Sequence, residues 1–140
     1  MNPNPYALLV HQNVVVRTLL GVRLEAAGFT AVATNSALRA LYAAVDYRPS
    51  LVLIDMTSPV PGGAQLVREL VAEGDPRMKI CVISDHHEND RRDPLNGIEG
   101  LWRLSRGQVF HPGFSAAMRR RFEDGIPFEP QGSEPFCLDV

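Results

Sequence analysis

Leu51-Val52-Leu53-Ile54-Asp55-Met56-Thr57-Ser58-Pro59 carries the strongest buried-strand signal in the sequence. Four consecutive aliphatic residues without polar alternation describe a strand buried on both faces, which is the habit of parallel sheets. Asp55 ends that run abruptly, and Ser58 to Gly63 follows as a proline- and glycine-rich loop. A buried strand that stops on a carboxylate sets a reactive group at the carboxyl edge of a sheet.

Outward from this strand, the chain alternates between short apolar runs and amphipathic stretches. Upstream, Tyr6 to Val10 is a first continuous apolar run, and Phe29 to Ala33 is a second, partly β-branched one. Between them, Val15, Leu19, Val22 and Ala26 recur at helical spacing, and Gly28 supplies a helix stop. Asn35 or Ser36 can cap the next helix, which runs to about Val45 before Pro49-Ser50 breaks the chain. Downstream, Leu66, Val67 and Leu70 mark a third helix over residues 64–72, closed by Gly74-Asp75-Pro76, and Lys79 to Ile83 is a fourth strand ending at Ser84-Asp85.

Beyond this point the pattern weakens. His86 to Asp93 is a dense polar run, and Ile98, Leu101, Trp102 and Leu104 suggest a helical turn. Gln108 to Phe110 reads as a short fifth strand ending at His111-Pro112, and Ser115 caps a final helix to about Phe122. The expected architecture is α/β: a doubly wound, flavodoxin-like, five-stranded parallel sheet with right-handed crossovers, irregular where the fourth crossover helix belongs. Residues 1–5 read as an N-terminal tail, 6–123 as the domain and 124–140 as a C-terminal extension with enough apolar surface in Phe128, Phe136 and Leu138 to dock somewhere.

Size and charge narrow the functional classes. A chain of 140 residues supports one core, and 45% hydrophobic with 21% charged residues is ordinary for a globular domain. A net charge of −2 without a basic stripe argues against direct nucleic-acid binding, and Arg119-Arg120-Arg121 reads as a solvated helix face or partner contact. Cys81 and Cys137 match no metal or redox spacing, so a reducing compartment is expected. Met1-Asn2-Pro3-Asn4-Pro5 has no signal-like core and no segment is long enough to span a bilayer, so a cytoplasmic protein without membrane attachment is expected.

Leu51 to Pro59 with Gly63, together with Leu24-Glu25-Ala26-Ala27-Gly28-Phe29, resembles in order and spacing the receiver (CheY-like) domain of two-component response regulators. The resemblance covers most of the chain and implies strand order 2-1-3-4-5, with Asp55 at the phosphoacceptor position. It sets Ser84 where such domains carry a hydroxyl, His111-Pro112 where they carry a Lys-Pro pair, and Gln108 at the aromatic switch position. The implied working set is degenerate. His11 and Gln12 stand where two acidic residues would hold Mg²⁺, so no magnesium cofactor is expected, and His111 replaces the lysine.

These residues, His11, Gln12, Asp55, Ser84 and His111, form the expected pocket. Asp55 is either a retained phosphoacceptor or a strand-end carboxylate paired with His111. No metal is expected; the candidates for one are His11, Asp55 and His111, two imidazoles and a carboxylate of the kind that suits a transition ion, with His86 and His87 nearby. Neither a nucleophile elbow nor a glycine-rich nucleotide fingerprint is present, so no enzyme is expected. The reading is an atypical stand-alone receiver-like protein acting as a phosphorylation-independent interaction module, with a weakly phosphorylatable regulator using Asp55 as the alternative. Its protein partner or second copy is expected on the last strand and helix, with Leu101, Trp102 and Phe114 as anchors.

Overall fold

The computed structural model describes residues 4–85 and 91–128. Strands β1 (Tyr6–Val10), β2 (Thr30–Thr34), β3 (Leu51–Asp55), β4 (Lys79–Ile83) and β5 (Trp102–Leu104) form one sheet, parallel throughout, in the order β2-β1-β3-β4-β5. Helices α1 (Val14–Ala26), α2 (Ala37–Tyr47), α3 (Gly63–Glu73), α4 (Arg106–Val109) and α5 (Phe114–Asp124) complete the fold. The expected doubly wound sheet and its strand order are what the chain adopts.

Every residue of β3 is buried, as its unbroken aliphatic run demanded. Alternate side chains serve two cores: Leu51 and Leu53 pack towards α1 and α5, Val52 and Ile54 towards α2 and α3. Burying each contributes about 2 kcal/mol, so the three central strands carry most of the cohesion. Cys81 lies in the first of these cores, where loss of water pushes its thiol far above the ordinary range.

Helix α1 is rotated from the expected stripe. Leu20 and Leu24 face the sheet, while Val15, Leu19 and Val22 are exposed, Val15 by 71%. The segment is apolar on several sides, so periodicity cannot choose among them. Two arginines do. Arg17 donates to the carbonyls of His11 and Gln12, and Arg23 donates to the carbonyl of His111 at 2.7 Å, fixing the turn of the helix about its axis.

The fifth strand also lies elsewhere than expected. It is Trp102–Leu104, and the 108–110 stretch is the end of α4 and the turn after it. Ser105 starts a capping box: its hydroxyl accepts from the Gln108 N–H at 3.2 Å, and the Gln108 side chain accepts from the Ser105 N–H at 2.8 Å. That reciprocal pair winds the chain into a helical turn just where an extended run was expected. Trp102 and Phe114, expected as exposed anchors, are both core residues.

Residues 91–101, which lead into β5, are turns and loop. Leu95 is fully buried among the α2 and α3 side chains, and Asp93 forms an ion pair at 2.8 Å with Arg103 of β5. Asp93 also accepts from the Leu95 N–H, so one carboxylate ties the loop's turn to the strand. Gly125, at φ +69, ends α5, and the chain then doubles back: Arg103 N–H donates to the carbonyl of Phe128, whose ring meets Trp102 edge-on at 6.2 Å. The polar run at 86–90, with His86 and His87, and the extension at 129–140, with Phe136, Cys137 and Leu138, fall outside the described residues, as do residues 1–3.

Asp93→Ala strands the Arg103 guanidinium, 3% exposed, without its counterion. A loss of about 3–5 kcal/mol is expected, read as a lower urea midpoint at unchanged denaturant slope.

Candidate functional site

The carboxyl ends of the three central strands meet at Asp55. Val10 pairs with Ile54 and Asp55 with Ile83, so the residues just past β1 and β4 flank it. His11 is buried there, its N–H on the carbonyl of Thr34. Ser84 is buried past β4, its N–H on the carbonyl of Leu104. Gln12 faces solvent and contributes only its carbonyl, to Arg17.

Asp55 is 6% exposed, and both of its oxygens are taken. Oδ2 lies 2.6 Å from His11 Nε2. Oδ1 accepts from the Thr57 N–H at 2.7 Å and from the Thr57 hydroxyl at 2.6 Å, a turn closed two residues past the carboxylate. Thr57 Oγ1 in turn accepts from Arg106 Nε at 2.9 Å, so the donors run Arg106 to Thr57 to Asp55.

The tautomer of His11 follows from its other contact. Nδ1 accepts from the Asn13 N–H at 3.0 Å and therefore carries no proton. The imidazole proton sits on Nε2 and is donated to Asp55. Asn13 meanwhile caps α1, its side chain accepting from the N–H groups of Val15 and Val16. Burial, helix start and imidazole orientation are thus one connected arrangement.

His111 is not a partner of Asp55, which corrects the expected pair. Because β5 ends at Leu104, the residues that follow it are Ser105 and Arg106, and His111 belongs to the turn between α4 and α5. There its Nδ1 accepts from the Gly113 N–H at 2.9 Å. His11, Asp55 and His111 therefore do not assemble a transition-metal set. Gln108 holds no switch position either; its buried side chain belongs to the capping box, and Trp102 is the aromatic that opens the fifth strand.

Thr57, Asn13 and Arg106 were missed from sequence. Thr57 was legible, since a hydroxyl two residues past an aspartate is a common turn partner. Arg106 was hidden by the misplaced strand, although Ser105-x-x-Gln108 announced a helix start. A hard cation needs several oxygen ligands, whereas the first residue past β1 presents an N–H to the carboxylate and the second an amide in solvent.

No family model and no curated protein matches this chain. Solved structures do. The chemotaxis protein CheY4 of Vibrio cholerae superposes with a TM-score of 0.69 at 17% identity, over 85% of this chain and 98% of that one. A CheY-like response regulator receiver domain from Methylobacillus flagellatus gives 0.65 at 24% identity, over 86% and 98%. NtrX from Brucella abortus gives 0.63 at 20% identity, over 88% of this chain but 26% of that longer one. The fold is that of the CheY-like receivers.

Asp55→Asn tests the closed arrangement. The Asn13 N–H holds the His11 proton on Nε2, so either amide orientation sets a donor against a donor, at His11 or at Thr57. A destabilisation of about 1–3 kcal/mol is expected by urea unfolding, where a solvated carboxylate would give none.

Proposed function

We propose that this protein is a receiver-like signalling module that acts by protein contact rather than by phosphoryl transfer. The observation that carries this reading is the occupancy of Asp55: each oxygen has its own internal donor, His11 on one and Thr57 on the other. Phosphoryl transfer depends on a free nucleophile, an in-line approach and charge neutralisation. Here an attacking oxygen must first shed His11 or Thr57. Arg106, which reaches this edge, already has an acceptor in Thr57.

A module of this kind needs no cofactor and turns over no substrate. We place its work in the cytoplasm, in two-component signalling, with proteins rather than nucleic acid or membrane as partners. Among the described residues no helix is long and apolar enough to cross a membrane. The burial of Trp102 and Phe114 moves the contact surface away from the anchors expected on the last strand and helix.

The second reading, a weak phosphoacceptor, draws on Arg106, whose guanidinium reaches Asp55 through one hydroxyl and supplies positive charge at the strand ends. Acetyl phosphate with Mg²⁺ separates the two. The expected result is an unchanged intact mass. Gain of one phosphoryl group, lost in Asp55→Asn, establishes the second reading instead. The double variant His11→Asp, Gln12→Asp should restore what is missing: its melting temperature is expected to rise with millimolar Mg²⁺ while the parent's does not move.

A further inference from the structure

The two edges of the sheet are treated differently. At the β5 edge the chain covers itself, because Arg103 N–H is bonded to the Phe128 carbonyl and Phe128 lies against Trp102. At the β2 edge, by contrast, no described strand pairs with Thr30–Thr34 on its outer side. Exposed edges are normally guarded by a lysine, a proline, a bulge or an inward charge. Strand β2 has none of these: its register against β1 is continuous, and its sequence is Thr30-Ala31-Val32-Ala33-Thr34.

That sequence reads the same in both directions. Thr30 N–H donates to Pro5 and the Thr34 carbonyl accepts from His11, so residues 30, 32 and 34 turn their backbone groups inward to β1. Ala31 and Ala33 therefore turn theirs outward. A second β2, run antiparallel about a two-fold axis through Val32, sets Ala31 opposite the second copy's Ala33 as a doubly hydrogen-bonded pair, twice over. Val32 then meets its own copy across the axis. Thr30 meets Thr34.

The flanking helices agree with this axis. On α1, Arg23 points towards α5, bonded to the carbonyls of Phe110 and His111. Gly21, two residues away and so on the opposite side of the helix, points towards the β2 edge. A Cβ on Gly21 would meet nothing within 4 Å among the described residues, so none of them requires a glycine in mid-helix, where glycine is unfavourable. Close approach of a second α1 would.

On α2, Leu41 and Val45 line the groove against α3, and Ala43 lies on the other side, sharing a small cleft with Val32. On that β2-ward side stand Arg39 and Asp46, both exposed and with no side-chain bond among the described residues. They are seven residues apart, about two turns, and flank Ala43. The same two-fold axis brings Arg39 of each copy against Asp46 of the other.

We infer that this chain forms a two-fold symmetric dimer through its β2 edges, joining two five-stranded sheets into one ten-stranded sheet. The occupant is a second copy because the edge, the helix gap and the charges are each complementary to themselves. The inference stands whether or not Asp55 can be phosphorylated.

Sedimentation velocity on the full chain, from 1 to 100 µM on the order of typical dimer affinities, is the test. The parent is expected at twice the monomer mass. Gly21→Trp fills space that is open in the monomer and is expected to run as a folded monomer, with unchanged far-ultraviolet circular dichroism. Arg39→Asp and Asp46→Arg are each expected to weaken association about tenfold or more, and the double variant to recover most of it. A monomeric parent across this range overturns the inference, as does a dimer indifferent to Gly21→Trp or a charge-exchanged double variant no tighter than either single one.

Discussion

A carboxylate at the end of a sheet's central strand sits where burial from both faces leaves little water, and something must supply its hydrogen bonds. Here the chain supplies them all. His11 takes one oxygen at 2.6 Å and Thr57 the other, while Asn13 holds the imidazole in the one tautomer able to donate. Each partner belongs to a different structural duty: the end of β1, the loop after β3, the cap of α1. Satisfying Asp55 and building the upper edge of the sheet are therefore the same event, and a ligand that asks for the carboxylate must compete with folding contacts.

The same economy explains how the chain dispenses with a regular helix between Asp93 and β5. A crossover must cover one face of the strand it leads to. Leu95 does the apolar part, and the Asp93–Arg103 pair does the polar part. A buried pair of this kind is a weak source of stability by itself, but breaking it is costly, so it acts as a specification of register more than as glue. Phe128 completes the arrangement from the other side, closing the β5 edge with chain that follows α5.

A fold shared with response regulator receiver domains does not carry a chemistry with it, because chemistry resides in the side chains at the strand ends. The sheet order is that of the superposed receivers, while both oxygens of Asp55 are engaged by donors from the chain itself. Among the described residues, strand β2 is an edge without a guarding charge, proline or bulge, and with its flanking helices it is complementary to itself.

Much of this was legible before any coordinates. Continuous aliphatic runs at β1, β3 and β4 point to strands buried on both faces, the habit of parallel sheets, so fold class and the convergence of His11, Asp55 and Ser84 followed from residue order, and strand order from the resemblance. Three things did not. The face that α1 buries was undecidable, because a helix apolar on several sides is oriented by Arg17 and Arg23 finding carbonyls outside the helix. Placement of β5 was undecidable because Trp102–Leu104 and residues 108–110 are equally short apolar runs, and only the Ser105–Gln108 cap together with pairing to β4 selects between them. The partner of Asp55 was His11 and not His111 for the same reason: local sequence sets which side chains can donate, but which one arrives is set by where strands stop, and that is a property of the assembled sheet.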